Sequence, residues 1–590
     1  MMKRYLITTA DERSWKFDRP VLFLGEWCRR YARKHIWSEM DAIVAAPHGL
    51  GPGQKSRDID YVQMLAGEIL IELTEALNKF HQTQHSERYW NIVLGHWLQR
   101  YVAVAFNRYH SLDQALKDHE IAGTTVFEAR EYSIATTDSL SFIYACNDDQ
   151  WNHVLYSKLM AYRGDVELNL AEAPLRGVKG FRHEEKRPDG LRPQIKGFAR
   201  KLLNMIGSKL VRNTDAFIIS SYLPIKEEVK LQLALGQVPQ FWRSPSFQRT
   251  LPDTDLRANL VLNYGKYKGF ERYVLWQLPE FIPTCYLEGY KSLVKTTEAL
   301  FWPEKPRFIF TSNNFDMDEI FKAWTGSKVE LGIPYFTGQH GNNYGTLLGS
   351  QNWPERTTAD KFITWGWTDE SKNNTPAFIF KSVADRPKAF NPKGGLLLIE
   401  VSPPYMLGPA DDYYEFGLYQ EELFRFVESL SVRIHQQLTV RPKSDFTNYS
   451  WSDEQRWKDR SPNTKLENGA APIRQLIAQS RLVVHSYDST GILETLSVNI
   501  PTMCFWSGGL DHLLPSAKPY YELIKSAGIF SDTAKLAAER VSLHWDNIDE
   551  WWESQKVQDA RKAFIGQYAR MEKHPVRVLK KLLTQNAKRT

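Results

Sequence analysis

The sequence predicts an α/β chain built as two Rossmann-like domains facing a cleft, with helical insertions. Three observations lead there. Short apolar runs of strand character alternate with helical periodicity in both halves, as parallel doubly wound sheets require. The stretch 482–505 reads as a buried strand, a hydroxyl-rich turn with one glycine, a two-turn helix and a second buried strand. Two further runs, 307–312 and 332–337, each end in a polar loop, where open sheets of this kind bind their ligands. At 590 residues the chain is too long for one core, and its length suits two to four domains.

Strand-like pieces at 4–9 and 21–25 flank the polar turn Asp11-Glu12-Arg13. Residues 60–130 read as helices, since 61–80 carries apolar residues at helical spacing and 89–109 is rich in aromatics. A middle over about 130–300 mixes helices with one strand at 216–220. Strand and helix then alternate from 307 to 367. Sequence rich in Asn, Pro and Gly over 371–393 predicts a linker between a domain at 1–370 and a second at 394–590. In the second, strands are expected at 396–401 and 438–442, with helices at 411–433 and 473–479. The stretch 520–582 is expected to be helical apart from a connection at 528–530.

Composition excludes several classes. With 42% hydrophobic and 24% charged residues the chain is ordinary globular material. No apolar run approaches the roughly 18–20 residues of a bilayer span, and the first residues hold too short an apolar run for a signal peptide. Cys28, Cys146, Cys285 and Cys504 lie far apart without metal or redox spacing, so a cytoplasmic location is expected. The net charge of +6 is unevenly spread: residues 176–212 hold eleven Lys or Arg against three acids. A solvated segment is the plain reading of that region. Peripheral contact with an anionic inner-membrane surface, or with an anionic acceptor, is the functional one. No nucleic-acid motif accompanies it, so nucleic acid is not an expected partner. The 19 Trp and 27 Tyr include residue types that stack on sugar rings, although burial in the core is their default use.

In the 482–505 unit, Ser489, Thr490 and Gly491 stand where the free N–H groups of a helix start point at an anion. His485 ends the preceding strand, and Glu494 follows one turn later, within reach of a ribose. Asn499 suits a left-handed helix end, and Pro501 stops the helix from continuing. A phosphate cradle beside a carboxylate is what a nucleotide crevice needs. A well-capped βαβ unit is the plain alternative. Arg441 and Lys443, ending the strand expected at 438–442, are the candidate cations for the same crevice.

Two neighbouring strands further up the chain deliver polar side chains to one edge. The first brings Ser312, Asn313, Asp316 and Asp318; the second brings Gln339, His340 and Asn343. Acids at a helix start also stabilise that helix, the plain reading of both aspartates. Asp316-Met317-Asp318 has the spacing of a metal pair but lies at that helix start, so no metal is expected. His340 lies between Gln339 and Gly341, which suits close approach of backbone to a ligand.

The run Glu494-Thr495-Leu496-Ser497-Val498-Asn499-Ile500-Pro501 resembles the donor-nucleotide site of two-domain glycosyltransferases of the GT-B type, with Asn499 where their pattern has Gly. Asn tolerates the same backbone geometry. Residues 8–16, 23–28, 338–341 and 483–506 together resemble the transferase family of bacterial O-antigen and surface-polysaccharide gene clusters, across essentially the whole chain. More distantly, Gln339-His340-Gly341 and the turn at 489–494 are similar to Kdo transferases, whose donor is a CMP-activated ulosonic acid.

These resemblances imply a GT-B glycosyltransferase of surface-polysaccharide assembly. Its 1–370 domain would take a saccharide or lipid-linked saccharide acceptor, and its 394–590 domain a nucleotide-sugar donor. The donor is a substrate, and no cofactor is implied. Asp316 or Asp318 would act at the sugar together with His340. Asp316 is the first choice, as the nucleophile of a retaining reaction or the base of an inverting one. Asp11, Glu26, Asn313, Gln339 and Asn343 would hold substrate. Arg441, Lys443, His485, Ser489, Thr490, Gly491 and Glu494 would hold the nucleotide. A CDP-polyol phosphotransferase of the same architecture and a non-catalytic saccharide-binding scaffold remain open.

Overall fold

The computed structural model describes residues 2–51, 53–129, 132–176, 181, 211–383, 390–401, 413–442, 452–467, 469 and 471–585. Three parallel sheets frame them. The first has the order β3-β2-β1-β4-β5, from β1 (Arg4–Ile7), β2 (Val21–Phe23), β3 (Ala42–Val44), β4 (Ile121–Phe127) and β5 (Leu168–Ala171). Leu6, Ile7, Val21, Leu22 and Phe23 have no exposed surface, as expected of strands covered on both faces. They share a core with the long helices α1 (Gln54–His81) and α2 (Glu87–Asp118).

The second sheet has the order β10-β9-β8-β7-β6, from β6 (Phe217–Ile219), β7 (Ile309–Thr311), β8 (Tyr335–Gly338), β9 (Lys361–Thr364) and β10 (Asn374–Pro376). The third has the order β13-β12-β11-β14-β15-β16. Its strands are β11 (Gly395–Ile399), β12 (Leu438–Arg441), β13 (Lys465–Leu466), β14 (Ser480–His485), β15 (Thr502–Phe505) and β16 (Phe530–Ser531). In that sheet the strand order reverses between β11 and β14. The carboxyl ends of such a pair border the crevice where doubly wound sheets bind ligands.

The expected α/β architecture of parallel sheets is therefore present, with one sheet more than the two expected. Residues up to Pro376 contribute two sheets. The additional one depends on β4, in a region whose periodicity predicts helix. Its Gly123, Thr124 and Thr125 lack the apolar alternation of a strand, yet β4 is an interior strand that pairs with both β1 and β5. The stretch 371–393 also differs from a plain linker. Asn374–Pro376 pairs with β9, and Ala377, Phe378, Ile379 and Phe380 are buried behind it. At its other end the chain returns to the second sheet. Leu579 and Leu583 of the helix Pro575–Thr584 are buried in that sheet's core beside Leu231.

The second and third sheets meet through loops at their carboxyl ends. Leu348 donates its N–H to the His512 carbonyl at 3.0 Å, and Leu514 donates to the Thr346 carbonyl at 2.7 Å. Leu347 and Leu513 form an isolated antiparallel bridge. Among the described residues, no helix is long and apolar enough to cross a membrane.

Candidate active site

The turn after β14 carries the helix α3 (Thr490–Ser497), whose N-cap Ser489 makes no side-chain capping bond. The first N–H groups of α3 therefore have no hydroxyl cap, which suits an anion. The Ser489 hydroxyl lies instead 3.2 Å from His485 Nδ1. His485 is 1% exposed, and burial pushes its pKa down to about 3, so the ring is neutral. Its Nε2 is buried without a hydrogen-bond partner among the described residues. Gly491 is required here, because a Cβ would come within 2.5 Å of His485 Cε1.

The loop after β8 closes over this turn. Asn342 donates its N–H to Thr490 Oγ1 at 2.9 Å and its side-chain amide to Asp488 at 2.6 Å. Asp488 also accepts from Tyr521 at 2.8 Å, and His512 Nε2 lies 3.3 Å away. Gly341 packs so closely that a Cβ would stand 3.0 Å from Thr490 Oγ1. Glu494 lies one turn into α3, and Lys381 reaches it from the other sheet with Nζ at 3.6 Å. Lys381 also sits 5.0 Å from the centre of the Tyr222 ring. That ring is in turn 5.8 Å from the ring of His340.

His340 has a defined partner on one side. Its Nδ1 is 3.0 Å from the Tyr344 hydroxyl, which donates to Glu355 at 2.6 Å. Glu355 also meets His96 Nε2 at 2.9 Å. Burial of His340 lowers its pKa from the ordinary 6.5, with Glu355 and Asp316 pulling the other way. Burial pushes Glu355 up, but its bonds from His96 and Tyr344 outweigh that and hold it below the ordinary value.

The other sequence-named residues have structural engagements. Asp316 forms a bidentate ion pair with Arg100, at 2.6 and 2.7 Å. Burial opposes its charge, yet the Arg100 guanidinium holds it well below the usual carboxylate range. Asp318 caps the helix Glu319–Glu330, accepting from the Phe321 N–H at 3.0 Å, and also accepts from Ser244 at 2.6 Å. The Gln339 oxygen accepts from the Trp365 N–H and the Trp367 indole at 2.9 and 2.8 Å, while its amide donates to the Gly341 carbonyl at 2.8 Å. Gln339 thus shapes the loop. Asn343 takes a left-handed φ of 77° that turns it, and Asn313 is exposed.

Asp11 pairs with Arg13, and Glu26 pairs with Arg29, both after strands of the first sheet. No described hydrogen bond or ion pair joins either to the loop at 338–345 or the turn at 486–494. Arg441 is engaged by Glu467. Lys443 lies outside the described residues, as do 177–180 and 182–210, the bulk of the basic region. Among the described residues, no group of three His, Cys, Asp or Glu is arranged to hold a metal ion.

The sequence reading missed Arg100, His96, Tyr344, Glu355, Asn342, Asp488 and Lys381. His96 and Arg100 share a face of α2 at i, i+4 spacing, a signal hidden within an aromatic-rich helix. Lys381 fell in the expected linker.

A family model described as LIC12162 family transferase matches residues 4–583. The chain belongs to that family. No curated protein matches the transferase by sequence. Among solved structures it is similar to MurG of Acinetobacter baumannii, with 11% identity and a TM-score of 0.31, over 62% of this chain and 99% of that one. It is also similar to a variant of the wall teichoic acid polymerase TagF soaked with CDPG. There the identity is 9% and the TM-score 0.33, over 68% and 99% of the two chains. Likeness of that degree carries no residue-level correspondence.

Proposed function

We propose that this transferase moves a sugar from a nucleotide-linked donor to a saccharide or lipid-linked saccharide acceptor in surface-polysaccharide assembly. The donor class is a CMP-activated ulosonic acid such as CMP-Kdo. One observation carries the proposal: the His340 loop of one sheet lies against the uncapped start of α3 in another, and Lys381 of the second sheet's side pairs with Glu494 of that helix. Sugar transfer needs those parts close together. Negative charge grows on the leaving phosphate while a proton leaves the acceptor hydroxyl.

The start of α3 and Lys381 would receive the phosphate, and Glu494 the ribose. A leaving group with a single phosphate needs no more positive charge than this. His340 would take the acceptor's proton, because its neutral ring keeps a lone pair near neutral pH. Asp316 would set the loop through Arg100, and a carboxylate held that far down is a weak base.

Two measurements test the donor side. Thermal shifts with CMP, CDP, UDP and GDP, each with and without EDTA, should show a cytidine nucleotide stabilising the protein equally in both conditions. A preference for UDP that vanishes with EDTA would sink the donor assignment. In the second, Glu494→Ala should weaken nucleotide binding by roughly 1–3 kcal/mol. The melting temperature of the free protein should barely move, because Lys381 and Glu494 are 37% and 34% exposed and such ion pairs add little stability. Unchanged nucleotide affinity would return Glu494 to the role of a surface helix residue.

A further inference from the structure

We infer that Tyr344, Glu355 and His96 form a hydrogen-bonded relay that fixes the tautomer of His340, with the proton on Nδ1 and the lone pair on Nε2. The catalytic meaning of the relay rests on the proposed transfer reaction; the tautomer itself follows from geometry.

The count of protons decides the tautomer. Tyr344 has one hydroxyl proton, and it points to Glu355 Oε1 at 2.6 Å. The phenol oxygen can then only accept from the nitrogen 3.0 Å away, His340 Nδ1. That nitrogen must carry hydrogen. The opposite arrangement needs a protonated Glu355 donating to Tyr344. His96 opposes it, lying with Nε2 2.9 Å from the second carboxylate oxygen, and a carboxylate with two such neighbours acts as an acceptor. The other nitrogen of His96, Nδ1, is buried with no partner among the described residues, as suits an unprotonated ring nitrogen.

The relay is rigidly built. Glu355 and His96 have side chains 5% and 10% exposed. The Tyr344 ring stacks on Phe362 at 5.1 Å and meets Trp353 edge-on at 4.8 Å. Gly345 follows with a φ of 72°, where a Cβ would strike the Trp367 ring. These residues come from α2, a short helix at Pro354–Thr357 and the loop after β8, so their convergence depends on tertiary packing.

In the transfer step the acceptor oxygen bonds the anomeric carbon and its proton passes to His340 Nε2. The bond from that carbon to the phosphate oxygen breaks, and its electron pair leaves with the phosphate. The imidazolium so formed keeps its Nδ1–H on Tyr344, one phenol away from the Glu355 charge. Tyr344 and Glu355 are positioning residues, since neither needs to touch substrate.

The full chain, labelled with ¹⁵N-histidine, tests the relay by the imidazole nitrogen shifts of His340 near neutral pH, assigned through their loss in His340→Gln. The expected result is an Nδ1–H tautomer in the wild type, and loss of that preference in Tyr344→Phe. An Nε2–H tautomer in the wild type would overturn the relay without any variant being needed. An unchanged Nδ1–H tautomer in a folded Tyr344→Phe would also overturn it. With a nucleotide-sugar that turns over, Tyr344→Phe should lower kcat about tenfold or more with KM little changed. An equal rise in KM at constant kcat would assign Tyr344 to substrate binding instead. If the tautomer is as expected but no nucleotide-sugar turns over in the wild type, the transferase reaction proposed above fails and the relay stands.

Discussion

His340→Gln is expected to lower kcat by about 10²- to 10⁴-fold, the range for losing a positioned general base. Nucleotide affinity should be unchanged. The proposed cradle for the nucleotide is the start of α3, whereas His340 lies in the loop after β8, beside Tyr222 and Tyr344. Steady-state rates and nucleotide titrations on the same preparation check both halves. The pH profile adds a sign. Burial lowers the His340 pKa, so the ring stays unprotonated to a lower pH than an ordinary imidazole. The rate should therefore hold as pH falls through 6.5, the ordinary value, and drop only below it. A His340→Gln variant with wild-type kcat would remove this residue from the chemistry.

Asp316→Asn is expected to destabilise the fold by about 3 kcal/mol, near the low end for breaking a buried ion pair. The Arg100 guanidinium would keep its charge and lose both carboxylate oxygens. The low end applies because the side chains of Arg100 and Asp316 are 25% and 18% exposed. Urea unfolding at neutral pH measures it. The linkage to pH has a definite direction. The Asp316 pKa is depressed in the folded state, so its stabilisation is complete above the unfolded value of 3.8 and is lost as pH falls through the lower folded value. The gap between wild type and Asp316→Asn should accordingly narrow in acid below that value. Replacing the pair together, with Arg100→Met and Asp316→Leu, should recover much of the loss, since no buried charge is left alone. Should Asp316→Asn keep full stability and nucleotide binding while turnover vanishes, Asp316 would regain the role its place in the sequence suggests.

The legibility of the site follows from where its information lies. The strand–turn–helix unit could be read directly because its strand, hydroxyl-rich turn and helix start are local and contiguous in 480–497. Gly491 and Asn499 were likewise visible, and Asn499 takes the left-handed φ of 57° expected of it. The loop at 338–345 was recognisable for the same reason, since glycines beside Gln339 and His340 mark a tight approach. The role of each aspartate was less accessible. Asp316 and Asp318 sit two residues apart in one loop, and local chemistry ranks them almost equally. What separates them is Arg100, 216 residues away in α2.

Strand character, helical spacing and turn chemistry within a few residues determined, from the sequence alone, that this protein is built on parallel α/β sheets with a strand, a hydroxyl-rich turn and a helix start near residue 490. Only the tertiary structure decided that a third sheet forms around β4 and that 374–380 belongs to the second sheet and its core. The same holds for Asn342, which closes on Thr490 across 148 residues, and for His340, which ends a chain of Tyr344, Glu355 and His96. The physical reason is the range of the forces. Backbone preference and periodicity act over neighbouring residues. Ion pairs and hydrogen bonds between distant side chains exist only once the packed sheets have brought their loops together.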